Sequence, residues 1–359
     1  MSSLAIYEHL DDLPQACESL FDAAGKTSFF LTLPWCRNLV RTGLPEAARL
    51  RIYVANGENG VKGVLPMMSA AGSRRLEAVS NYYTSLFMPI LGETDDAALG
   101  SLVEAVSSER WDRIDLHPMD ADSPVFEQCA EAFRSCGMIV LPYFCFGNWY
   151  LKLDGRSYGE YFETLPSKLK NTLKRKTKQL HAANQARMEI VTEVGEIDAA
   201  IAAYEKVYNS SWKVPEPYPE FMPGLIRTCA EQGWLRLGLV FIGAEPVAAQ
   251  VWIVKDGIAA IYKLAYDERF SKLSAGSILT AGLMRHVIDV DRVNEVDYLT
   301  GDDDYKRDWM SHRRERWGLS AYNRRTLRGF CMGTALQMAG FARRFLGDRK
   351  RASTDVRLK

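Results

Sequence analysis

A turn of serine and glycine, Ser274-Ala-Gly-Ser277, is the stretch of this chain whose residue types best suit an anion. It follows an apolar and aromatic run, 259–267, that predicts a buried strand, and it opens an apolar-periodic segment, Ile278 to Val287, that predicts a helix. The first N–H groups of a helix lack partners within it and carry the positive end of its dipole. The pattern predicts a phosphate site, and the alternative is an ordinary N-cap serine with a packing glycine.

The elements that would position this turn are predicted in the residues that come after it in the chain. Val293–Leu299 reads as the next strand, Thr300-Gly301 as its turn, and Asp302–Trp309 as a polar helix that starts with acidic residues. Strand, helix, strand and helix in alternation is the order of an α/β fold.

An ordered set of short motifs extends across this region and resembles the acetyltransferase-like domain of the GNAT superfamily found in CelD-type and FemAB-type proteins. The resemblance covers roughly residues 160 to 322, with Ser211-Trp-Lys213 and the basic segment 167–176 also placed as in that family. The motifs that carry it are Ala248-Ala-Gln250, Tyr262-Lys263, Tyr266-Asp267, Ser274-Ala-Gly276, Asp297-Tyr-Leu-Thr-Gly301, Tyr305-Lys306 and Trp309.

The resemblance implies a donor site. In this superfamily an amine attacks a thioester carbonyl directly, so the donor would be acyl-CoA. Its pyrophosphate would bind at Lys272, Ser274, Ala275, Gly276 and Ser277, with Tyr266 beside them. The usual loop of the superfamily is Gln/Arg-x-x-Gly-x-Gly/Ala. Here Ser271-Lys-Leu-Ser-Ala-Gly276 has serine at the first two defining places, which leaves aminoacyl-tRNA, the donor of FemAB-type relatives, as the alternative.

Four residues are candidates for the catalytic chemistry, each with a plainer alternative. Asp297 is the candidate general base, or else it forms a salt bridge with Lys263 or Lys306. Lys263 lies in an apolar strand and needs a partner or a ligand phosphate, unless it is a strand-end lysine in water. Tyr305 is the candidate acid or a surface tyrosine. His312 titrates near neutrality but stands alone.

A second group of residues is expected to contact the acceptor. Trp212 and Lys213 end a predicted helix before Pro215-Glu-Pro-Tyr-Pro219, whose prolines suggest a rigid loop over the acceptor cleft, although capping of the helix is an equal alternative. The resemblance adds three further positions to this group, namely Tyr262, Lys306 and Trp309.

Composition narrows the class of protein. The chain has 359 residues, with 45 basic and 45 acidic ones and hence no net charge that would indicate nucleic acid. Its start lacks the features of a signal peptide, and no run approaches the roughly 18 apolar residues of a membrane span. Seven cysteines and five histidines show no metal-ligand spacing. We therefore predict a cytoplasmic protein without a metal.

The order of predicted elements occurs twice along the chain. Helices, a hairpin and then alternating strands and helices fill each half, which predicts an internal structural repeat. The fold class is therefore α/β, with two tandem GNAT-like domains, each a mixed β-sheet flanked by helices. The predicted boundaries are 1–150 for a degenerate N-terminal domain, 151–323 for the acyltransferase domain and 324–359 for a basic amphipathic tail.

Two basic segments remain. Lys168 to Arg187 carries seven basic residues and no acidic one, which suits a solvated helix face, a phosphate or RNA surface, or a membrane surface. The tail from Arg324 carries ten basic and two acidic residues interleaved with apolar ones, as in a helix that docks on its own domain or on the inner membrane.

Together these features predict an N-acyltransferase that transfers an acyl group from acyl-CoA to an amine. A membrane-bound tail would suit an amphiphilic acceptor such as a sphingoid base. One alternative is a FemAB-like transferase that uses aminoacyl-tRNA, in which case tRNA is the only nucleic acid partner. The other is a degenerate, non-enzymatic GNAT module in a polysaccharide or lipid locus, which the departure at Ser271–Gly276 favours.

Overall fold

The computed structural model describes residues 3–58, 60–92, 96–182 and 186–340. The first part of the chain contains seven strands and four helices, together with 3-10 turns at Leu10–Asp12 and Phe29–Leu31. In chain order these elements are β1 Ser3–Tyr7, α1 Ala16–Gly25, α2 Leu33–Thr42, β2 Ala48–Gly57, β3 Gly60–Ala70, β4 Arg75–Ala78, β5 Ile90–Leu91, α3 Asp96–Ser108, β6 Arg113–Asp120, α4 Pro124–Ser135 and β7 Met138–Lys152.

The second part continues with six strands and six helices among the described residues up to Asn323, and a further helix follows. The 3-10 turns here are Val194–Glu196 and Glu268–Leu273. In order the elements are α5 Tyr158–Thr164, α6 Ser167–Ala182, β8 Ala186–Val191, α7 Ile197–Asn209, α8 Phe221–Glu231, β9 Leu235–Ile242, β10 Glu245–Lys255, β11 Ile258–Tyr266, α9 Ala275–Asp289, β12 Glu295–Asp297, α10 Asp304–Arg307, β13 His312–Asn323 and α11 (327–340).

The chain forms two compact units that are not contiguous in sequence. Unit 1 takes the described residues of Met1–Ala24, Pro45–Cys145 and Arg316–Lys359, and unit 2 takes Gly25–Leu44 and Phe146–Glu315. The predicted boundaries at 150 and 323 cut the chain once each. In the structure, β7 and β13 instead both pass from one unit into the other, and the segment with α2 belongs to unit 2.

Each unit repeats the same strand order. Unit 1 runs β1-β2-β3-β4-β6-β13 and unit 2 runs β8-β9-β10-β11-β12-β7. In both, the first four strands are antiparallel, the fourth and fifth are parallel, and the sixth is antiparallel again. The predicted repeat of mixed sheets flanked by helices is confirmed.

Unit 2 buries both faces of its sheet. On one face α5, α6 and α9 share a core cluster with the sheet, and this cluster includes Trp252, Leu283 and Trp309. Helix α7 packs on β9, β10 and β11, and α8 packs on α7 and β9, while neither supplies a residue to the described cluster. Because side chains alternate along a strand, α7 and α8 cover the opposite face.

Three local predictions need correction. The strand predicted over 293–299 is paired only at Glu295–Asp297, and the helix predicted over 302–309 is the single turn Asp304–Arg307. The strand 258–266 does not feed α9 directly, because the 3-10 helix Glu268–Leu273 lies between them. In each case the hydrophobic pattern marks burial, whereas the backbone is held by tertiary hydrogen bonds that the pattern does not encode.

Candidate active site

A wedge opens in the sheet of unit 2 between β11 and β12. The described parallel pairing of the two strands covers three residue pairs and ends at Ala260 and Asp297. Strand β11 then continues for six residues to Tyr266, paired on its other side with β10. On the wedge side, no described strand pairs with residues 261–266.

The wedge forms because the chain turns out of β12 at Leu299. This residue has a left-handed φ of +54°, which is unusual for a residue with a bulky side chain. Its N–H donates to Asp297 Oδ1 at 2.7 Å, and its carbonyl accepts from Asn148 Nδ2 at 2.9 Å. Asn148 also forms a bridge with Gly301, so that residues 298–301 follow β7 instead of β11.

Asp297 lies at the base of the wedge in an ion pair with Arg314. Its carboxylate accepts from Asn148 at 2.6 Å, from the Leu299 N–H and from the Arg314 guanidinium. Arg314 also donates to Glu295 at 2.8 Å. The salt bridge that was the alternative to a general base thus exists, although its partner is Arg314 rather than Lys263 or Lys306. Because these three donors already engage both carboxylate oxygens, this geometry favours a positioning part for Asp297.

The predicted anion site forms the start of α9. Ser274 precedes the helix in a left-handed conformation, with φ +55° and ψ +34°. A left-handed residue followed by helical ones points successive N–H groups into one concavity, and the N–H groups of 275–277 also lack partners within their own helix. Lys272 is exposed beside this turn, and its carbonyl accepts a hydrogen bond from Lys176 of α6. Lys176 of α6 thus reaches the segment that leads into the concavity.

A buried amide fixes the first turn of α9. Gln250 Nε2 donates to the Gly276 carbonyl at 2.9 Å and to Thr280 Oγ1 at 2.8 Å, while its Oε1 accepts from Trp252 Nε1 at 2.9 Å. Gly276 lets Tyr266 come close, since a Cβ at this position would lie 3.3 Å from Tyr266 Cδ1. The ring of Tyr266 packs on Trp212 in turn, with 4.5 Å between ring centroids. This fixing role of Gln250 was not predicted from the motif Ala248-Ala-Gln250.

A cluster of lysines and acids lies over β11 and the turn after β12. Lys263 Nζ donates to Glu216 Oε1 at 2.8 Å, and both side chains are only 9% exposed. Lys263 is therefore a partnered, buried lysine and not a strand-end lysine in water. Lys306 is buried and donates to the Thr300 carbonyl at 2.6 Å, with Asp303 at 3.5 Å. Burial lowers the pKa of Lys306.

Lys213 is the most strongly perturbed amine of this cluster. Burial, followed by the positive charge of Lys263, lowers its pKa from 10.5 to about 8. Its ammonium group lies 5.8 Å from the Tyr208 ring centroid and 5.9 Å from that of Trp212. An amine with such a pKa is partly neutral at physiological pH and can take up or release a proton.

The remaining predicted site residues are spread more widely. Tyr305 is 46% exposed and packs edge-on against Tyr298, and burial raises its pKa to about 12. Tyr262 lies in an aromatic cluster with Phe29, Phe30 and Trp35. Trp309 is 5% exposed in the core cluster, and its carbonyl accepts from Tyr161. His312 is exposed, with its ring beside Tyr150 and its Nδ1 within 2.7 Å of Ser311 Oγ.

The structure thus brings together Tyr266, Gly276 and Trp212 on one side, and Lys213, Lys263 and Lys306 on the other. The backbone N–H of Trp309 donates to the Lys306 carbonyl at 3.1 Å, but its side chain lies in the core cluster, and His312 lies on the surface. Glu216, the partner of Lys263, and Arg314, the partner of Asp297, were not predicted from the sequence. The first could have been suspected from its place between Pro215 and Pro217, whereas nothing near Arg314 marks it.

Residues 167–307 match the family model of the acetyltransferase (GNAT) domain. This part of the chain is similar to a GNAT acetyltransferase domain. It spans α6 to α10 and contains the wedge, the turn at Ser274 and the lysine cluster. No curated protein sequence matches the chain.

Solved structures share the fold at low sequence identity. FemX is 9% identical with a TM-score of 0.60, over 85% of this chain and 96% of that one. The C-terminal domain of a candidate lysylphosphatidylglycerol synthetase from Agrobacterium fabrum is 15% identical with a TM-score of 0.53, over 85% and 91%. L-PGS from Bacillus licheniformis is 10% identical with a TM-score of 0.51, over 84% and 95%. These likenesses extend the shared fold from the GNAT domain to most of the chain.

Proposed function

We propose that this protein is an N-acyltransferase that moves an acyl group from acyl-CoA to an amine. The observation that carries the proposal is the wedge between β11 and β12, which opens beside the N–H concavity at Ser274. A GNAT-type transferase acts mainly by positioning, and these two features supply an open strand edge and an anion site in one GNAT domain.

The donor would lie along the open edge of β11. Acyl-CoA carries two amides in its pantetheine arm, and an extended chain of that kind can pair with the backbone groups of 261–266 as an added strand would. The pyrophosphate would then accept from the N–H groups of 275–277, with the ammonium groups of Lys176 and Lys272 next to it.

The proton of the attacking amine would pass to Lys213. As the C–N bond forms and the C–S bond breaks, the neutral Lys213 amine takes the proton, and the ammonium returns it to the leaving CoA thiolate. A pKa of about 8 suits both steps, because it lies near that of an ordinary thiol. Tyr305, with a pKa of about 12, is better suited to donate a hydrogen bond to the thiolate than to give up its proton.

The roles of the other predicted residues follow from their contacts. Lys263 and Glu216 hold the proline-rich loop over β11 and keep a positive charge near Lys213. Tyr262 and Trp212 offer aromatic surface for the acceptor, and Lys306 fixes the turn at Thr300. We assign Trp309 to the support of α10 from the core, and we assign no step to His312.

The acceptor would be an amphiphilic amine, such as a sphingoid base, that is met at the membrane surface. Helix α11 supports this proposal, because it exposes the apolar side chains Leu327, Phe330, Leu336 and Met338 beside Arg328. Such a helix can lie in the interface of an anionic membrane. None of the described helices is long and apolar enough to cross a membrane. The apolar residues Phe341 and Phe345 of the predicted tail lie outside the described residues.

Turnover tests this function directly. We expect release of free CoA thiol from palmitoyl-CoA to depend on an added long-chain amino alcohol, and the N-acyl product to appear by mass spectrometry. Lys213→Met should lower the rate by about 100-fold or more, since a positioned acid–base group contributes at least that much. Amine-independent thioester loss, or none with any acyl-CoA, would contradict the proposal.

Aminoacyl-tRNA as the donor is a second candidate, favoured by one observation. The basic face of α6 reaches the donor turn through Lys176, and a polyanion could follow that face. In that case aminoacyl-tRNA should support transfer, acyl-CoA should not, and binding should weaken steeply with salt. A non-enzymatic module would bind without turnover of either donor.

A further inference from the structure

A cavity separate from the wedge lies in unit 2, beside α9 and the edge strand β8. It has a volume of about 630 Å³ and opens to solvent between α5, α6, β8 and α9. This volume is in the range of sites for small molecules. No described residue assigned above to the donor or acceptor lines it.

The cavity wall is mainly apolar. The apolar residues of the lining include Phe162, Leu173, Leu180, Met188 and Ile278. Two small residues of α9, Ala281 and Gly282, keep it open on the helix side, and Met188 lies against Gly282, where a Cβ would come within 2.5 Å of its sulfur. A hydrocarbon chain could fill such a space, because methionine and leucine side chains adapt to apolar ligands.

The rim of the cavity is basic. Lys174 and Arg285 are exposed at its edge, and each lies over an aromatic ring, at 5.7 Å from the centroid of Phe162 and 5.0 Å from that of Tyr158. Arg187 also lines the cavity, but its guanidinium is paired with Glu189 at 2.6 Å. The one acidic residue in the described lining, Glu163, is already held by Lys170 at 3.0 Å. The rim therefore favours an anionic head group above an apolar interior.

We propose that this cavity binds a single-chain lipid anion, with the hydrocarbon chain between α6 and α9 and the carboxylate or phosphate between Lys174 and Arg285. Such a ligand combines the two chemistries that the cavity presents. Affinity should rise about fourfold for each further methylene that is buried, until the cavity is full. The site is separate from the donor wedge, so the proposal stands whether or not the protein is an acyl-CoA transferase.

Titration calorimetry of the full chain without CoA tests this site. The ligands are decanoate, dodecanoate and dodecyl phosphate, below their micelle concentrations, and dodecyltrimethylammonium supplies the same chain with a cationic head. We expect both dodecyl anions to bind and decanoate to bind more weakly than dodecanoate. The cation should bind at least tenfold more weakly than the anions. The two anionic heads distinguish a fatty acid from a phosphate-bearing lipid as the preferred source.

Two substitutions locate the binding. Ala281→Phe should abolish it by filling the cavity, whereas Ala199→Phe, on an exposed position of α7, should leave it unchanged. Arg285→Gln should weaken the anions by about tenfold and should not weaken the cation. If Ala281→Phe unfolds the chain, Thr177→Trp on the α6 wall replaces it. Equal binding of anion and cation, or binding that survives the filled cavity, would overturn the proposal.

Discussion

At the scale of single residues, Lys213 is the group on which the proposed chemistry depends. Burial and the neighbouring charge of Lys263 place its pKa at about 8, so that it is protonated below that pH and neutral above it. Only the neutral amine can accept the proton of the attacking amine. Its partners come from separate parts of the chain, namely β11 and the loop with Glu216.

The pH dependence of turnover checks this role. We predict that kcat rises with pH through about 8, and that Lys213→Arg, which stays protonated, loses the ascending limb and about 100-fold or more in rate. Lys178→Arg on the exposed face of α6 is the matched control and should behave as the wild type. An arginine variant with the wild-type profile would exclude Lys213 as the proton acceptor.

The roles of single residues were predictable where neighbouring residues in the sequence indicate them. The Ser274 turn and the buried lysine at 263 stand out because a glycine–serine helix start and a charge in an apolar strand are local signals. The partners of Lys263 and Asp297 were not predictable, since Glu216 and Arg314 are respectively 47 and 17 residues away. Such pairs depend on how strands and loops come together, and spacing does not record that.

At the scale of elements, the end of β12 determines the wedge. The left-handed Leu299 and the bonds from Asn148 and Arg314 turn the chain away from β11. Asp297 and Glu295 share the charge of Arg314, and burial raises the pKa of Glu295. Arg314 thus neutralises two carboxylates that burial would otherwise leave unpaired.

Removal of the Arg314 guanidinium should destabilise the folded protein. Arg314→Met should lower the free energy of unfolding by roughly 3 kcal/mol, because it leaves buried carboxylates without their partner. The adjacent Arg313→Met breaks an exposed pair with Asp302 and should cost less than about 1 kcal/mol. Urea denaturation of both variants measures the difference. Equal losses would mean that the Arg314 cluster does not hold the strand end.

Helices and strands were predicted correctly where the hydrophobic periodicity is strong. The prediction was wrong where strand pairing determines whether an apolar run forms a strand. Strand β11 and helix α9 have long apolar patterns and lie close to where the pattern predicts them. The apolar run 293–299 is equally convincing as a sequence, yet only three of its residues pair. A residue buried in a turn and one buried in a strand have the same apolar signature.

At the scale of the molecule, the repeated strand order was predictable from the repeated order of elements. The exchange of one strand between the two halves of the sequence was not predictable. Strand β13 pairs with β6 in unit 1, and β7 pairs with β12 in unit 2. Each of these strands closes a sheet begun by the other half of the sequence. A domain boundary at a single residue, such as 150 or 323, cannot describe units whose segments alternate along the chain.

Helix α11 predicts that the protein binds to a membrane surface. We expect the protein to sediment with vesicles of phosphatidylglycerol but poorly with those of phosphatidylcholine. The double substitution Leu336→Glu and Met338→Glu should reduce binding at least tenfold by placing charge on the apolar surface. Val290→Glu, at a 65% exposed apolar residue after α9, is the control and should not. Equal binding to both lipids, or full binding by the double variant, would contradict membrane docking by α11.

The most direct test of the proposed donor site is calorimetric titration of CoA into the wild-type protein and three variants. We predict saturable binding, weakened about tenfold or more by Lys176→Glu and by Lys272→Glu, because each reverses a charge near the N–H concavity at Ser274. Lys178→Glu, on the same helix, should change the affinity by less than about twofold at physiological salt. If CoA does not bind, or binds equally to all four proteins, the donor site is not at the start of α9.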